Sequence, residues 1–200
     1  MTIAVLANEE QWNELTMNAS GVNLVRLASL QQQVSNAEGY IILQEVNSQH
    51  LENIRKPVIL NSVVHTLKEL QTGNNVVRIN GWKTFLARNL WEVSGIISDE
   101  LKQMLAALNK QYIEAADEPG LGAARVIAMI INEAYFALGE GVSSKQEIDT
   151  AMKLGTNYPF GPFEWAGIIG VKNVYDLLSV LSRQDTRYLP APLLRKEIFL

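Results

Sequence analysis

Between Asp117 and Glu164 the chain stops repeating short apolar runs and begins to repeat apolar residues at helical spacing. Pro119 and Gly120 mark the change. Val126, Ile127, Ile130, Ile131, Ala134 and Leu138 then recur as one helix would place them. That helix is apolar nearly all round, which predicts burial on several sides, and Gly139 and Gly141 are its predicted stop. Ser144 and Glu147 have capping-box spacing, so a second helix is predicted to start at once. Ile148, Ala151 and Met152 supply its apolar face, and Gly155 stands where its end is predicted. The segment Tyr158-Pro-Phe-Gly-Pro-Phe-Glu164 is too rigid and too aromatic for an ordinary loop. Farther on, Val171, Val174, Leu178 and Leu181 form the stripe of a helix ending near Arg183. Arg187 to Pro192 reads as an extended turn, because residues before proline leave helical geometry. Leu193, Leu194, Ile198 and Phe199 suggest one more short helix.

Upstream the pattern is different. Ile3–Leu6, Val22–Leu27, Tyr40–Leu43, Val58–Leu60, Val76–Ile79, Leu90–Val93 and Tyr112–Ala115 read as short strands. Helical segments are predicted at Glu9–Leu15, His65–Leu70 and Asp99–Leu108. Strands alternating with helices imply parallel pairing in a doubly wound sheet. The fold class expected is therefore α/β plus all-α, with a sheet domain at 1–116 and a helical domain at 117–200.

Composition excludes several classes of function. A formal net charge of −4 gives no basic surface for nucleic acid. With no cysteine, disulfides, thiolate metal sites and a cysteine nucleophile are excluded. The start MTIAVLANEEQ lacks the pattern of a signal peptide. The run Val126–Ile131 is far short of the roughly 20 residues that span a bilayer. A cytoplasmic protein that binds neither membrane nor nucleic acid is expected.

The order Asp117-x-Pro-Gly, then Asn132-Glu-Ala, Gly-Val, Ile148-Asp-x-Ala-Met-Lys-Leu-Gly and Tyr158-Pro-x-Gly-Pro-Phe-Glu resembles the C-terminal domain of 3-hydroxyacyl-CoA dehydrogenases. The resemblance continues through Ile169-Gly-Val to Leu193-Leu-Arg-Lys196. By the same resemblance the first half is a shortened Rossmann-like, nucleotide-binding domain. The resemblance implies a homodimer formed through the C-terminal helices.

It also implies site positions, which this chain fills differently. A dinucleotide-binding turn carries Gly-x-Gly-x-x-Gly after the first strand, so that the backbone can approach a pyrophosphate. Here the turn is Ala7-Asn-Glu-Glu-Gln-Trp12, without glycine. Glu9 and Glu10 suit a helix N-terminus and repel a phosphate there. No acid follows Leu27 to hold ribose hydroxyls. No cofactor is therefore predicted, and NAD belongs only to the alternative below. The segment Val76–Val93 is similar without gaps to the family's His-to-Glu segment. Glu92 falls on the Glu and Asn80 on the His. An amide does not titrate near neutral pH and cannot act as general base. Val63 and Val64 stand at a pair of serines, Ala124 at an asparagine, and Gly167 at an acid.

Around Asn80, the cations Arg78, Lys83 and Arg88 alternate with Trp82, Phe85 and Trp91. Together they are candidates for holding the phosphate and ring of an acyl-CoA, against a reading as a partly exposed strand and loop with solvated charges. His65, near the former serine positions, and His50 are the only histidines, and no spacing suggests a metal. Ser62 lacks a neighbouring base. The expected function is a family member without hydride transfer, acting as a dimeric structural, regulatory or acyl-CoA-binding protein. The alternative is an active NAD-dependent 3-hydroxyacyl-CoA dehydrogenase of fatty-acid metabolism.

Overall fold

The computed structural model describes residues 1–17, 19–32 and 34–199. The chain forms two compact units, Met1–Leu121 and Gly122–Leu200.

The first unit contains seven strands: β1 (Thr2–Leu6), β2 (Asn23–Leu27), β3 (Gly39–Ile42), β4 (Val58–Asn61), β5 (Val76–Ile79), β6 (Leu90–Gly95) and β7 (Gln111–Glu114). Among the described residues three α-helices accompany them: α1 (Glu9–Thr16), α2 (Leu67–Leu70) and α3 (Asp99–Ala107). The strands form one sheet in the order β2-β1-β3-β4-β5-β6-β7. Side chains alternate across it. Ile3 and Val5 pack on the face that carries Leu15 of α1 and Met104 of α3, while Ala4 and Leu6 pack on the other with Leu27, Leu51 and Leu60. Both faces are covered, which is why the strands read as near-continuous apolar runs.

The expectation of parallel pairing needs one correction. β6 runs antiparallel to β5 and parallel to β7. A parallel return needs a crossover of a dozen or more residues, usually helical. The chain between Ile79 and Leu90 holds no helix and turns back, which sets β6 beside β5 in the opposite direction.

The second unit is helical: α4 (Ala123–Gly139), α5 (Lys145–Thr156), α6 (Pro162–Ile169), α7 (Val171–Leu181) and α8 (Pro192–Ile198). α4 packs against α6, α7 and α8. Its Ala124, Ala128, Ile131 and Tyr135 are buried, but Val126 is 56% exposed, so burial falls short of the whole circumference. Asn132, also buried, donates to Leu189 O at 2.9 Å and accepts from Ala191 N at 2.8 Å. One amide thus fixes the chain that leads into α8. Gly155 is not the stop predicted for α5. The helix continues to Thr156, and Asn157 closes it in the left-handed region at φ 56°.

α6 is the element that the sequence reading did not place. Gly161 precedes it and Pro162 opens it, where a missing N–H costs nothing. Its first free N–H groups are capped from α5. Asp149 accepts from Phe163 N at 2.8 Å and Glu164 N at 3.2 Å. Glu164 accepts from Gly161 N at 2.9 Å and from Lys153 Nζ at 2.5 Å. A Cβ on Gly161 would land on the Asp149 side chain, so the approach requires glycine. The aromatic turn and the Ile148–Gly155 segment therefore form one interlocked joint.

Candidate functional site at the strand ends of the first unit

In open α/β sheets ligands bind outside the carboxyl ends of the strands, where the strand order reverses. Here β1 connects to β2 on one side while β3 to β5 follow on the other, so that point lies between β1 and β3. The end of β1 leads into α1 through Asn8. Asn8 Oδ1 accepts from Gln11 N at 2.9 Å, and Gln11 Oε1 accepts from Asn8 N at 3.0 Å. This capping box uses backbone donors that a phosphate would otherwise meet. Gln11 Nε2 also reaches Leu43 O beyond β3 at 2.9 Å, and Asn61 Nδ2 reaches the same carbonyl at 3.0 Å. Glu9 pairs with Arg26 at 2.5 Å and Glu10 with Lys83 at 3.1 Å. The turn after β1 is thus bordered by two ion-paired carboxylates and bridged to Leu43 by the Gln11 amide. The sequence shows the two acids. The Asn8-x-x-Gln11 box was missed, although its spacing was a legible signal.

The β5–β6 turn brings the expected pair of positions together. Ile79 is paired with Val93, so Asn80 and Glu92 are the next residues across the same register. Asn80 is 4% exposed. Its Oδ1 accepts from Trp82 N at 3.1 Å, and its Nδ2 is enclosed without a partner. Partial desolvation lowers the pKa of the otherwise exposed Arg88, and Glu92 lies close enough to oppose that shift. No titratable base stands at position 80. An amide here can orient a carbonyl oxygen but cannot remove a proton.

The chain after Asn80 is held tightly. Asn61 Oδ1 accepts from Gly81 N at 2.9 Å. Both oxygens of Glu14 on α1 accept from Thr84 N, at 2.9 and 3.0 Å. Lys110 Nζ donates to Leu86 O and Arg88 O, each at 2.8 Å, and lies 5.0 Å from the Trp91 ring. Burial pushes the Lys110 ammonium below its usual pKa. Nothing in the sequence pattern distinguishes Glu14 or Lys110, because their contacts join residues far apart in the chain.

The reading of a partly exposed strand and loop with solvated charges is corrected at Arg78 and at the three aromatics, while Lys83 and Arg88 are exposed. Arg78 is fully buried, and Trp82, Phe85 and Trp91 are 7%, 4% and 3% exposed. Arg78 donates to Asp117 at 2.6 Å, to Ser62 O at 3.0 Å and to Glu118 O at 2.5 Å, so its guanidinium is spent on the protein itself. Burial lowers its pKa, and Asp117 opposes that shift. Burial also acts to raise Asp117. The N–H groups of Leu67 and Lys68 and the Arg78 cation outweigh it, so the carboxyl stays below its usual range. Arg88 is exposed and its guanidinium lies 3.9 Å from the Phe85 ring.

The other named positions are spread out. Val63 is 4% exposed and its carbonyl accepts from Gly120 N at 2.7 Å. Ser62 Oγ donates to His65 O at 2.7 Å. His65 is exposed, 4.0 Å from Glu69, and precedes the Thr66 cap of α2. His50 lies in a short 3-10 turn, Ser48–Leu51. In the second unit Ala124 is fully buried, and Gly167 has open space about it. Among the described residues no three acids or histidines gather as a metal site, and no helix is long and apolar enough to cross a membrane.

Residues 120–198 match the family described as 3-hydroxyacyl-CoA dehydrogenase, C-terminal domain. The chain is a member of the 3-hydroxyacyl-CoA dehydrogenase family. Over 93 residues it is 46% identical to the 3-hydroxyadipyl-CoA dehydrogenase of Escherichia coli, covering 46% of this chain and 20% of that protein. A probable 3-hydroxybutyryl-CoA dehydrogenase of Deinococcus radiodurans is 30% identical over 144 residues, which cover 71% of this chain and 44% of that one. The chain spans less than half the length of these curated relatives. The crystal structure of (S)-3-hydroxybutyryl-CoA dehydrogenase from Ralstonia eutropha superposes with a TM-score of 0.77 at 19% identity, covering 99% of this chain and 93% of that one. That likeness shows the fold: a Rossmann-like sheet unit and a helical C-terminal unit. The 3-hydroxyacyl-CoA dehydrogenase domain match begins at residue 120, three residues after Asp117, the partner of Arg78.

Proposed function

We propose that this chain is a 3-hydroxyacyl-CoA dehydrogenase-family protein that does not transfer hydride and that serves a structural or regulatory role as a dimer. The observation that carries the reading is Asn80. It stands across the β5–β6 register from Glu92, buried and without a group that titrates near neutral pH. The closed turn at Asn8–Gln11 supports a reading without NAD, since two of its N–H donors are engaged within the capping box and its acids repel an anion. Acyl-CoA binding remains as a narrower role for the same edge. Arg78 contributes nothing to it, which leaves Lys83, Arg88 and the rim of the β5–β6 turn.

Dimerisation through the helical unit is supported by exposed apolar side chains there, including Val126, Val142, Leu154 and Phe199. A cytoplasmic location fits the absence, among described residues, of a helix able to cross a membrane. The competing reading, an NAD-dependent 3-hydroxyacyl-CoA dehydrogenase, draws on the names of the relatives. Thermal-shift measurements with NAD, NADH and acetoacetyl-CoA separate the three. A shift with the dinucleotides favours the enzyme, a shift with the thioester alone favours the acyl-CoA binder, and no shift leaves the structural role.

A further inference from the structure

The sheet face opposite α1 is covered mainly by irregular chain. Neither the connection from Leu27 to Gly39 nor that from Ile42 to Val58 carries a described α-helix, although parallel crossovers usually do. Between these two connections lies a cavity of about 640 Å³, within the range of small-molecule sites. Leu30, Tyr40 and Ile54 form an apolar floor that packs on the core beneath. Arg55 and Lys56 form its basic wall beside His50, and no carboxylate is among its lining residues, although the same two cations also border a neighbouring cavity lined by Glu38 and Glu100. That is a local excess of positive charge in a chain of net charge −4.

The walls are held in place from behind. Asn75 Nδ2 donates to Ile54 O and Lys56 O, each at 2.8 Å, and so fixes the backbone that presents Arg55. Gln32 Oε1 accepts from Ala28 N at 2.9 Å, and Asn47 caps the 3-10 turn that carries His50. A fixed backbone reduces the ordering cost of binding. We infer that this cavity binds a small organic anion, with its phosphate or carboxylate on Arg55 and Lys56 and its apolar body against Tyr40 and Ile54. The site shares no residue with the strand-end site and does not depend on the reading given above.

Titration calorimetry of the whole chain at low ionic strength tests it. Phenyl phosphate serves as the probe, benzoate as its carboxylate counterpart, and inorganic phosphate and phenol as head and body alone. Phenyl phosphate or benzoate, whichever headgroup the site prefers, should bind once per chain, at least tenfold more tightly than phosphate or phenol. The double variant Arg55→Gln/Lys56→Gln should weaken it at least tenfold. In the unsubstituted chain the same ligand should shift the NMR signals of Tyr40 and Ile54 and leave those of Asn80 unmoved. Failure of both probes to saturate, equal binding by the double variant, or shifts confined elsewhere would each overturn the assignment.

Discussion

Arg78 shows how a single residue can change meaning between sequence and structure. In Val76-Val-Arg-Ile79 it is a charge inside a strand, and neighbouring aromatics make it look like a ligand contact. Its partner, Asp117, lies 39 residues farther on, and no local pattern reports that pairing. Breaking a buried pair from one side typically costs about 3–5 kcal/mol, so Arg78→Ala should lose about that much stability in urea melts. A loss near zero would mean that the cation is dispensable. Asp117, whose carboxyl is held below its usual range, contributes stability above the unfolded carboxylate pKa and loses it as pH falls through the folded one. Asp117→Asn should therefore flatten the acid side of the stability profile. Glu147 gives a sharper case. The hydroxyls of Ser143 and Ser144 and the Ser144 N–H hold its carboxyl down at about 2. Its contribution is complete above about 4.5, the unfolded value, and disappears as pH falls towards 2. An NMR titration should place its midpoint near 2, rising in Ser144→Ala. A midpoint at the ordinary value would contradict the capping geometry. That Asn80 and Val63 differ from the residues the resemblance implies was legible because it concerns identity alone. The buried, unpartnered Nδ2 was not, because burial comes from the fold.

At the level of elements, the seven strands were legible as apolar runs bounded by polar residues. What could not be read was the direction of β6, since that depends on whether the chain from Asn80 to Asn89 crosses over or turns back. Glycine was the other source of error. Gly155 reads as a helix stop but lies inside α5 with nothing within 4 Å of an added Cβ. Gly155→Ala should therefore raise stability by about 0.5–1 kcal/mol, seen as a higher melting temperature. A lower one would show that the glycine has a conformational role. Gly161→Ala should do the opposite, because the new methyl meets Asp149 and displaces the cap of α6. Asp149→Ala should cost about 1–2 kcal/mol, the range of a lost helix cap. If both substitutions leave the melting temperature unchanged, the α5–α6 joint is not what holds that part of the unit. The joint was visible in sequence as an unusual turn. Its geometry was hidden, because Asp149 acts across two helices.

For the whole molecule, the helical unit keeps the family's sequence while the sheet unit keeps mainly its fold. That division is why the C-terminal half could be assigned from motifs, and why the first half was assigned from its alternation of strands and helices together with the segment Val76–Val93. Light scattering on the eluted protein should give twice the mass of the 22.3 kDa chain, and a monomeric mass would remove the dimer. Restoring one group should not restore chemistry. Asn80→His places an imidazole across from Glu92 but supplies no seat for a dinucleotide, so it should give no NADH. The most direct measurement is calorimetric titration of the unsubstituted chain with NAD, followed by absorbance at the NADH band with 3-hydroxybutyryl-CoA added. No saturable heat and no NADH are expected on the proposed reading, because two acids and a closed capping box border the turn after β1 and Asn80 offers no titratable base. Micromolar NAD affinity with steady NADH formation would contradict that.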